Sequence, residues 1–134
     1  MTRLTRQALG QRGEDAAAAF LAAKGYRIEA RNWRPTGRVP RDVRGELDIV
    51  ARDGETWVFV EVRARRGQAY GTPEESITPH KAQRLVALAW AYVQTRGLED
   101  ADWRIDVVAL AMAPDGRVLR TNHIEHAVTG VEHV

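Results

Sequence analysis

The chain of 134 residues contains no cysteine, which excludes a disulfide framework and any metal site built on thiolates. It also lacks an apolar run that approaches the roughly 18 residues needed to cross a bilayer. The first residues, MTRLTRQALGQRGED, lack the apolar core of a signal peptide. We therefore expect a cytoplasmic protein that has no membrane partner.

Several common catalytic patterns are missing as well. We find no glycine-rich phosphate loop and no Ser–His or Cys–His nucleophile pair. The four histidines are scattered along the chain, so we interpret them as surface or core side chains and not as a metal-binding set. The length fits one compact domain of about 100–200 residues, and we expect residues 1–134 to form a single domain.

The charge is distributed unevenly although the net charge is only +2. Residues 1–45 carry ten basic and four acidic side chains, whereas residues 46–134 carry ten and fourteen. Six arginines lie within positions 27–44, with Trp33 among them: Arg27, Arg31, Arg34, Arg38, Arg41 and Arg44. Guanidinium groups beside an aromatic ring suit phosphates and unstacked bases. A solvated, mobile loop is the alternative interpretation.

Hydrophobic periodicity and turn signals predict the order α-β-β-β-α-β-β. A helix is expected over about 5–24, with Ala16, Phe20 and Ala23 on one apolar stripe. Thr78-Pro79 opens a second helix that Gly97 ends. Strands are expected near 26–33, 45–52, 55–65, 103–112 and 118–126. This order predicts an α/β protein, a mixed central sheet flanked by helices.

The segment GELDIVARDGETWVFVEVRAR predicts a β-hairpin with chemistry on one face. If Asp53-Gly54 is a two-residue turn, Arg52 faces Glu55, Glu46 lies opposite Glu61, and Asp48 lies opposite Phe59. Alternate residues of a strand share a face. One face would then carry three carboxylates and an arginine, and the other the apolar residues: Glu46, Asp48, Glu61 and Arg63 against Leu47, Ile49, Val58, Val60 and Val62.

Carboxylates placed across a ladder repel one another, so the face requires compensation. A divalent cation such as Mg²⁺ would supply it, because this hard ion takes carboxylate oxygens while it retains water and phosphate. An ion pair with Arg63 or Arg44 is the alternative. The apolar pair Phe59-Val60 directly precedes Glu61, and an acid within such a strand favours the metal. Trp57, Phe59 and Trp90 are interpreted as core, and Asp106 as one half of a structural pair.

At these residues the chain resembles the YraN-like family, which is related to archaeal Holliday-junction resolvases within the restriction-endonuclease-like superfamily. The matching segments are GQRGEDAAAAFLAAKGYRIEARNWR, GELDIVARDG, VFVEVRAR, YGTPEESITPHKAQRL and WRIDVVAL. The resemblance implies a restriction-endonuclease-like fold, Mg²⁺ or Mn²⁺ as cofactor, DNA as partner, and a homodimer.

The same resemblance assigns roles to individual residues. The motif of the related nucleases is an Asp, then a Glu, one apolar residue and a Lys; Asp48 and Glu61 match the first two, whereas Arg63 stands where the Lys is expected. Glu14 matches an acidic residue that resolvase relatives place near the metal, although it could also be a solvated charge at the helix start. The implied metal ligands are therefore Asp48, Glu61, Glu14 and Glu46.

The arginine at position 63 puts catalysis in question, because an arginine stays charged and cannot act as a base. It could still stabilise charge on phosphoryl oxygens, and Lys81 is a candidate substitute amine. Lys81 and Arg84 could also contact the substrate backbone or line a solvated face. The expected nucleic-acid contacts are Arg34, Arg38, Arg41, Arg44, Arg65, Lys81 and Arg84.

Three functions compete at this point. The first is a metal-dependent endonuclease that acts on structured or branched DNA. The second is a nucleic-acid-binding module that keeps the nuclease fold without cleavage, and the third is a protein-interaction module. Glycoside hydrolysis also uses paired carboxylates, but the arginine-rich segment and the family resemblance oppose a sugar site.

Overall fold

A computed structural model of the chain describes residues 3–37, 43–67 and 77–128. Within these ranges the elements are α1 (Arg6–Ala23), β1 (Arg27–Trp33), β2 (Leu47–Asp53), β3 (Thr56–Arg66), α2 (Pro79–Arg96), β4 (Trp103–Met112) and β5 (Val118–Ile124). The predicted order of helices and strands is confirmed. None of the helices in this part of the chain combines the length and the apolar character that a membrane span requires.

The five strands form one mixed sheet in the order β1-β2-β3-β4-β5. Strands β3 and β4 run parallel, while the other three neighbouring pairs are antiparallel. Parallel neighbours need a crossover connection, commonly a helix, and α2 lies between β3 and β4 in the chain. The mixed sheet with flanking helices confirms the expected α/β fold.

The two helices cover opposite faces of the sheet, because the side chains of the strands alternate between two cores. Helix α1 buries Leu9, Ala17 and Leu21 against one face, which includes Ile49, Val58 and Val60. Helix α2 buries Leu85, Leu88, Ala89, Tyr92 and Val93 against the other, which includes Val50, Trp57 and Phe59. Burying apolar area on both faces provides the main stabilisation of such a three-layer domain.

The stripe by which α1 contacts the sheet differs from the predicted one. Ala16 and Phe20 are partly buried and pack at the margin of this core, whereas Ala23 is exposed, so the prediction was wrong for Ala23. Glycine takes part in the actual stripe: a Cβ added at Gly13 would lie 2.7 Å from the Cβ of Ala64 on β3. This absence of a side chain lets α1 approach β3 closely, and it fixes the position of Glu14, the next residue.

The helix ends form as their local sequences predict. The Thr5 hydroxyl accepts a hydrogen bond from the backbone N–H of Ala8, and the Thr78 hydroxyl accepts one from that of Lys81. These bonds satisfy donors that a helix leaves open in its first turn. Gly97 ends α2 with φ 65°, a left-handed conformation that glycine adopts without a steric penalty.

The predicted register of the β2–β3 hairpin was wrong by one position in the turn. Asp53 pairs with Thr56, Arg52 pairs with Trp57, and Ile49 pairs with Val60, so Gly54 and Glu55 form the turn. Gly54 has φ 63°, and as the first turn residue it can take this conformation at low cost. The shift moves each cross-strand partner by two residues, which leaves the face of every paired residue unchanged.

A polar group centred on the buried Asp106 lies in the core on the α1 side. Asp106 is fully buried and accepts a hydrogen bond from Arg104 Nε at 3.0 Å, while its other oxygen lies 2.8 Å from His123 Nε2. Lys24 Nζ lies 2.8 Å from Nδ1 of the same imidazole. Because the ammonium can only donate, the His123 proton sits on Nε2 and points to Asp106. The predicted structural pairing of Asp106 is confirmed, as is the core position of Trp57 and Phe59.

Candidate metal centre

Three carboxylates meet beside the N-terminal half of α1. One oxygen each from Glu14, Glu46 and Asp48 lies within 4.8 Å of the others. Glu14 comes from α1, Glu46 directly precedes β2, and Asp48 is the second residue of β2. Three acids from two separate elements therefore present hard oxygen donors to one point, which is the type of ligand that Mg²⁺ and Mn²⁺ take.

Asp48 reaches this point because the β2–β3 ladder ends beside it. The paired part of the two strands begins at Ile49 and Val60, and beyond it the N–H of Val62 donates to Asp48 Oδ2 at 2.8 Å. Leu47 packs on the α2 side with Val50, so its predicted place beside Ile49 was wrong. The alternation of faces is interrupted between Leu47 and Ile49, where β2 remains paired with β1 but has no ladder partner on β3.

Burial makes the ionisation of Asp48 unfavourable. It raises the pKa of Asp48 from 3.8 to about 8, with further contributions from a side-chain hydrogen bond to Glu61 and from the charges of Glu61 and Glu46. The N–H of Val62 opposes the rise. In the absence of a cation, burial therefore favours the neutral form of the Asp48 carboxyl at neutral pH.

Glu14 lies in a similar environment at the edge of the cluster. Burial raises its pKa, and the charges of Asp48 and Glu46 add to the rise, while a hydrogen bond from Asn32 lowers it. Asp15, the next residue, is exposed and points away, where it accepts a hydrogen bond from Arg31 at 2.8 Å. The two neighbouring acids of α1 are therefore distinguished by their partners, and only Glu14 belongs to the cluster.

Two side chains of the β1 end hold the acids together. Asn32 Nδ2 donates to Glu14 Oε1 at 2.7 Å and to Glu46 Oε1 at 2.9 Å. Arg34 Nε donates to the other oxygen of Glu46 at 3.0 Å. Asn32 is not among the site residues expected from the sequence. The available signal was an asparagine inside a predicted strand, where asparagine is depleted.

The cluster opens into a pocket of about 310 Å³ between α1 and the C-terminal half of β3. Its lining residues are Arg6, Leu9, Gly10, Glu14, Asp48, Glu61, Val62, Arg63, Ala64 and Arg65. The pocket thus joins three acids to three arginines. Arg6, at the start of α1, is a second residue that sequence reasoning missed.

The predicted basic residues of β3, Arg63 and Arg65, line this pocket. Arg63 Nη1 lies 3.7 Å from Glu61 Oε2, and both side chains are about 15% exposed, at 16% and 15%. Burial and the charges of Arg63 and Arg65 lower the pKa of Lys81, whereas Glu61 opposes the change. Because the charges of Arg63, Arg65 and Glu61 act on the pKa of Lys81, the Lys81 side chain at the start of α2 lies near these three residues of β3.

The arginine-rich segment is only partly described. Arg34 is 73% exposed in its ion pair with Glu46, and Arg44 is exposed. Arg84 is exposed, and its Cδ would lie 3.6 Å from a Cβ added at Gly45, so the start of α2 adjoins the end of the segment. Arg38 and Arg41 fall outside the described residues, and their role stays a prediction.

The fold and the cluster together define a mixed α/β protein with a carboxylate centre beside a cationic rim. The model of the family described as "Uncharacterised protein family UPF0102" matches residues 13–110. The chain therefore belongs to the UPF0102 family, the YraN-like family of the sequence analysis.

Curated relatives support this membership over most of their length. A UPF0102 protein of Pelotomaculum thermopropionicum is 47% identical over 122 residues, which cover 91% of this chain and 96% of the relative. A UPF0102 protein of Symbiobacterium thermophilum is 48% identical over 119 residues, covering 89% and 94%. A third, from Chloroflexus aurantiacus, is 48% identical over 124 residues, covering 92% and 94%.

Proposed function

We propose that the protein is a Mg²⁺- or Mn²⁺-dependent endonuclease that hydrolyses phosphodiester bonds in structured or branched DNA. The observation that carries the proposal is a pocket that Glu14, Asp48 and Glu61 line together with Arg63 and Arg65. Acids that bind a cation and cations that bind phosphate are both required for metal-assisted phosphodiester hydrolysis.

The residues present fit a divalent cation. Their donors are all oxygens, and three of these lie within 4.8 Å of one another. Burial and the charges of Glu61 and Glu46 raise the pKa of Asp48, and a bound cation would favour its ionised form. Asp48 and Glu61 would hold the ion, with Glu14 and Glu46 completing the set. Bound Mg²⁺ would supply positive charge to the phosphate and would acidify water.

The other side chains of the pocket position the substrate. Arg63 lies beside Glu61, so it would place its guanidinium against the phosphoryl oxygens and stabilise the charge that develops there. Arg65 lines the pocket and the charges of Arg63, Arg65 and Glu61 act on Lys81, so Arg65 and Lys81 would contact adjoining phosphates. Arg84, beside Gly45, would contact a phosphate further along the backbone. Lys81 and Glu14 would contribute to catalysis only by holding charge in place.

Nucleic acid is the proposed partner, and the arginine-rich segment is the proposed extension of its binding surface. Arg34 and Arg44 are exposed at the two described ends of this segment. Exposed guanidinium groups bind phosphates with two parallel hydrogen bonds. The homodimer and the cytoplasmic location remain predictions of the sequence analysis.

A cleavage panel tests the proposal. Duplex DNA, a four-way junction, a flap, single-stranded DNA and RNA would be incubated with the protein in Mg²⁺ or Mn²⁺. We expect cleavage of a branched substrate by the parent and none by Glu61→Ala purified in parallel, which controls for contaminating nucleases. Equal cleavage by parent and Glu61→Ala would contradict the proposal.

Metal binding gives an independent measurement. Calorimetric titration with Mn²⁺ should detect a site in the parent that Asp48→Ala and Glu61→Ala abolish. Asp15→Ala is the matched control, because it removes an exposed carboxylate next to Glu14 that points away from the cluster. If Asp48→Ala and Glu61→Ala both bind Mn²⁺ as well as the parent does, the assignment of the ligands is refuted.

The arginine at position 63 favours a second candidate, a nucleic-acid-binding module without catalysis. Such a module would use the same cationic residues of the pocket to bind phosphates, and the absence of the lysine found in the related nucleases would leave it without catalysis. DNA binding by the parent that is salt-dependent, together with no cleavage of any substrate in either metal, would support this module over the nuclease.

A further inference from the structure

Asn32 has a backbone conformation that few side chains adopt. Its φ is 52°, and among the described residues only His126, with φ 51°, shares a positive value without being glycine. Such a conformation costs free energy for most residues, although asparagine tolerates it better than others. A strained residue in a strand therefore calls for a compensating interaction.

The position of Asn32 in the sheet explains which interaction it makes. Arg31 pairs with Ile49 and Trp33 pairs with Leu47, so Asn32 lies across from Asp48 at the edge of the cluster. Consecutive side chains of a regular strand point to opposite faces. Here both Arg31 and Asn32 reach α1, where they contact Asp15 and Glu14, because the left-handed residue interrupts the alternation.

The hydrogen bonds identify the orientation of the amide. Both partners of Asn32 are carboxylate oxygens, Glu14 Oε1 at 2.7 Å and Glu46 Oε1 at 2.9 Å. An ionised carboxylate can only accept, so the nitrogen faces the acids and each of its two hydrogens serves one of them. One neutral side chain thus joins an acid of α1 to an acid that precedes β2.

We propose that Asn32 is a positioning residue that holds Glu14 and Glu46 in the geometry required for metal binding. This inference rests on the proposed function. Asn32 donates to one oxygen of each carboxylate. Each hydrogen bond restricts the rotation of its carboxylate group and thereby also sets the direction of that group's second oxygen. Side chains that orient metal ligands typically change metal affinity 10- to 100-fold when they are removed.

Replacement by glycine separates the amide from the backbone. Asn32→Gly removes both hydrogen bonds, yet glycine adopts a positive φ readily, so the fold should be retained. His126→Gly is the matched control, since it makes the same backbone change in a residue that follows β5. Thermal unfolding in EDTA would establish that both variants remain folded.

We expect Asn32→Gly to weaken Mn²⁺ binding in calorimetry by about 10-fold or more, and His126→Gly to bind within about 2-fold of the parent. The cleavage rate of Asn32→Gly should be low at limiting Mn²⁺ and should recover as Mn²⁺ is raised, which a folding defect would not do.

The possible outcomes separate this inference from the proposed function. If the parent binds Mn²⁺ and Asn32→Gly binds it equally well, Asn32 has no positioning role and the metal site stands. If Asn32→Gly binds Mn²⁺ weakly only because it is unfolded in EDTA, the positioning role is likewise rejected in favour of a structural one. If the parent binds no Mn²⁺, both proposals fail.

Discussion

Replacing Asp48 with asparagine should make the metal-free protein more stable at alkaline pH. Burial raises the pKa of Asp48 from 3.8 to about 8, so the native state favours the neutral carboxyl. Stability from such a group is fully present below the unfolded pKa and is lost as the pH rises through the folded one. Asp48→Asn keeps an oxygen that can accept from Val62 N–H, and it removes the ionisation.

The magnitude follows from the pH window. The interval from pH 5 to pH 8 spans about three units at about 1.4 kcal/mol each, which gives an upper bound of about 4 kcal/mol. Solvent access through the open pocket screens the charge of Asp48 and reduces this to about 1–3 kcal/mol. For a domain of this size that gain corresponds to a rise of about 4–12 °C in Tm.

Thermal unfolding in EDTA at pH 5 and pH 8 measures the effect. The advantage of Asp48→Asn over the parent should grow between the two pH values. Asp15→Asn is the control, because the hydrogen bond from Arg31 lowers the pKa of this exposed acid, so its removal should confer no gain at pH 8. Saturating Mn²⁺ should reverse the order, since only the parent is stabilised by ligand binding. The reasoning is refuted if Asp48→Asn is no more stable than the parent at pH 8, or if the difference is the same at both pH values.

Three further predictions concern single side chains. Arg63→Ala should lower the cleavage rate by about 10²-fold while Arg63→Lys retains it; an Arg63→Lys variant as inactive as the alanine variant in single-turnover assays would contradict the assigned role. Gly13→Ala should destabilise the protein by about 1–3 kcal/mol in urea unfolding, because its Cβ would lie 2.7 Å from that of Ala64. Gly10→Ala meets nothing within 4 Å and should stabilise by about 0.5–1 kcal/mol; equal effects of the two glycine variants would disprove the close contact. Arg34→Ala should flatten the slope of log K against log salt for duplex DNA by about one unit, and an unchanged slope would show that this arginine makes no phosphate contact.

The local sequence determined where the helices and strands lie and which acidic residues of the hairpin belong to the candidate metal site. Thr5, Thr78-Pro79 and Gly97 act through hydrogen bonds and dihedral angles within a few residues, so they can be interpreted without a fold. Asp48 and Glu61 are joined by a hairpin, and the alternation of side chains keeps their faces unchanged when the register is wrong by two residues. This is why the acidic pair could be predicted although its exact partners could not.

Packing of distant segments decided the rest. Glu14 and Asn32 lie 18 positions apart in the chain, and Gly13 brings them into contact because it lets α1 lie against β3. The rotation of α1 followed the shape of the sheet and buried Leu9, Ala17 and Leu21, since close packing depends on both surfaces and not on one periodic stripe. The left-handed Asn32 and the loss of the ladder at Asp48 arise where β1, β2 and α1 meet. The sequence by itself thus determined which acids lie on the hairpin, whereas the tertiary structure determined which side chains hold them, because those contacts join elements that no local pattern relates.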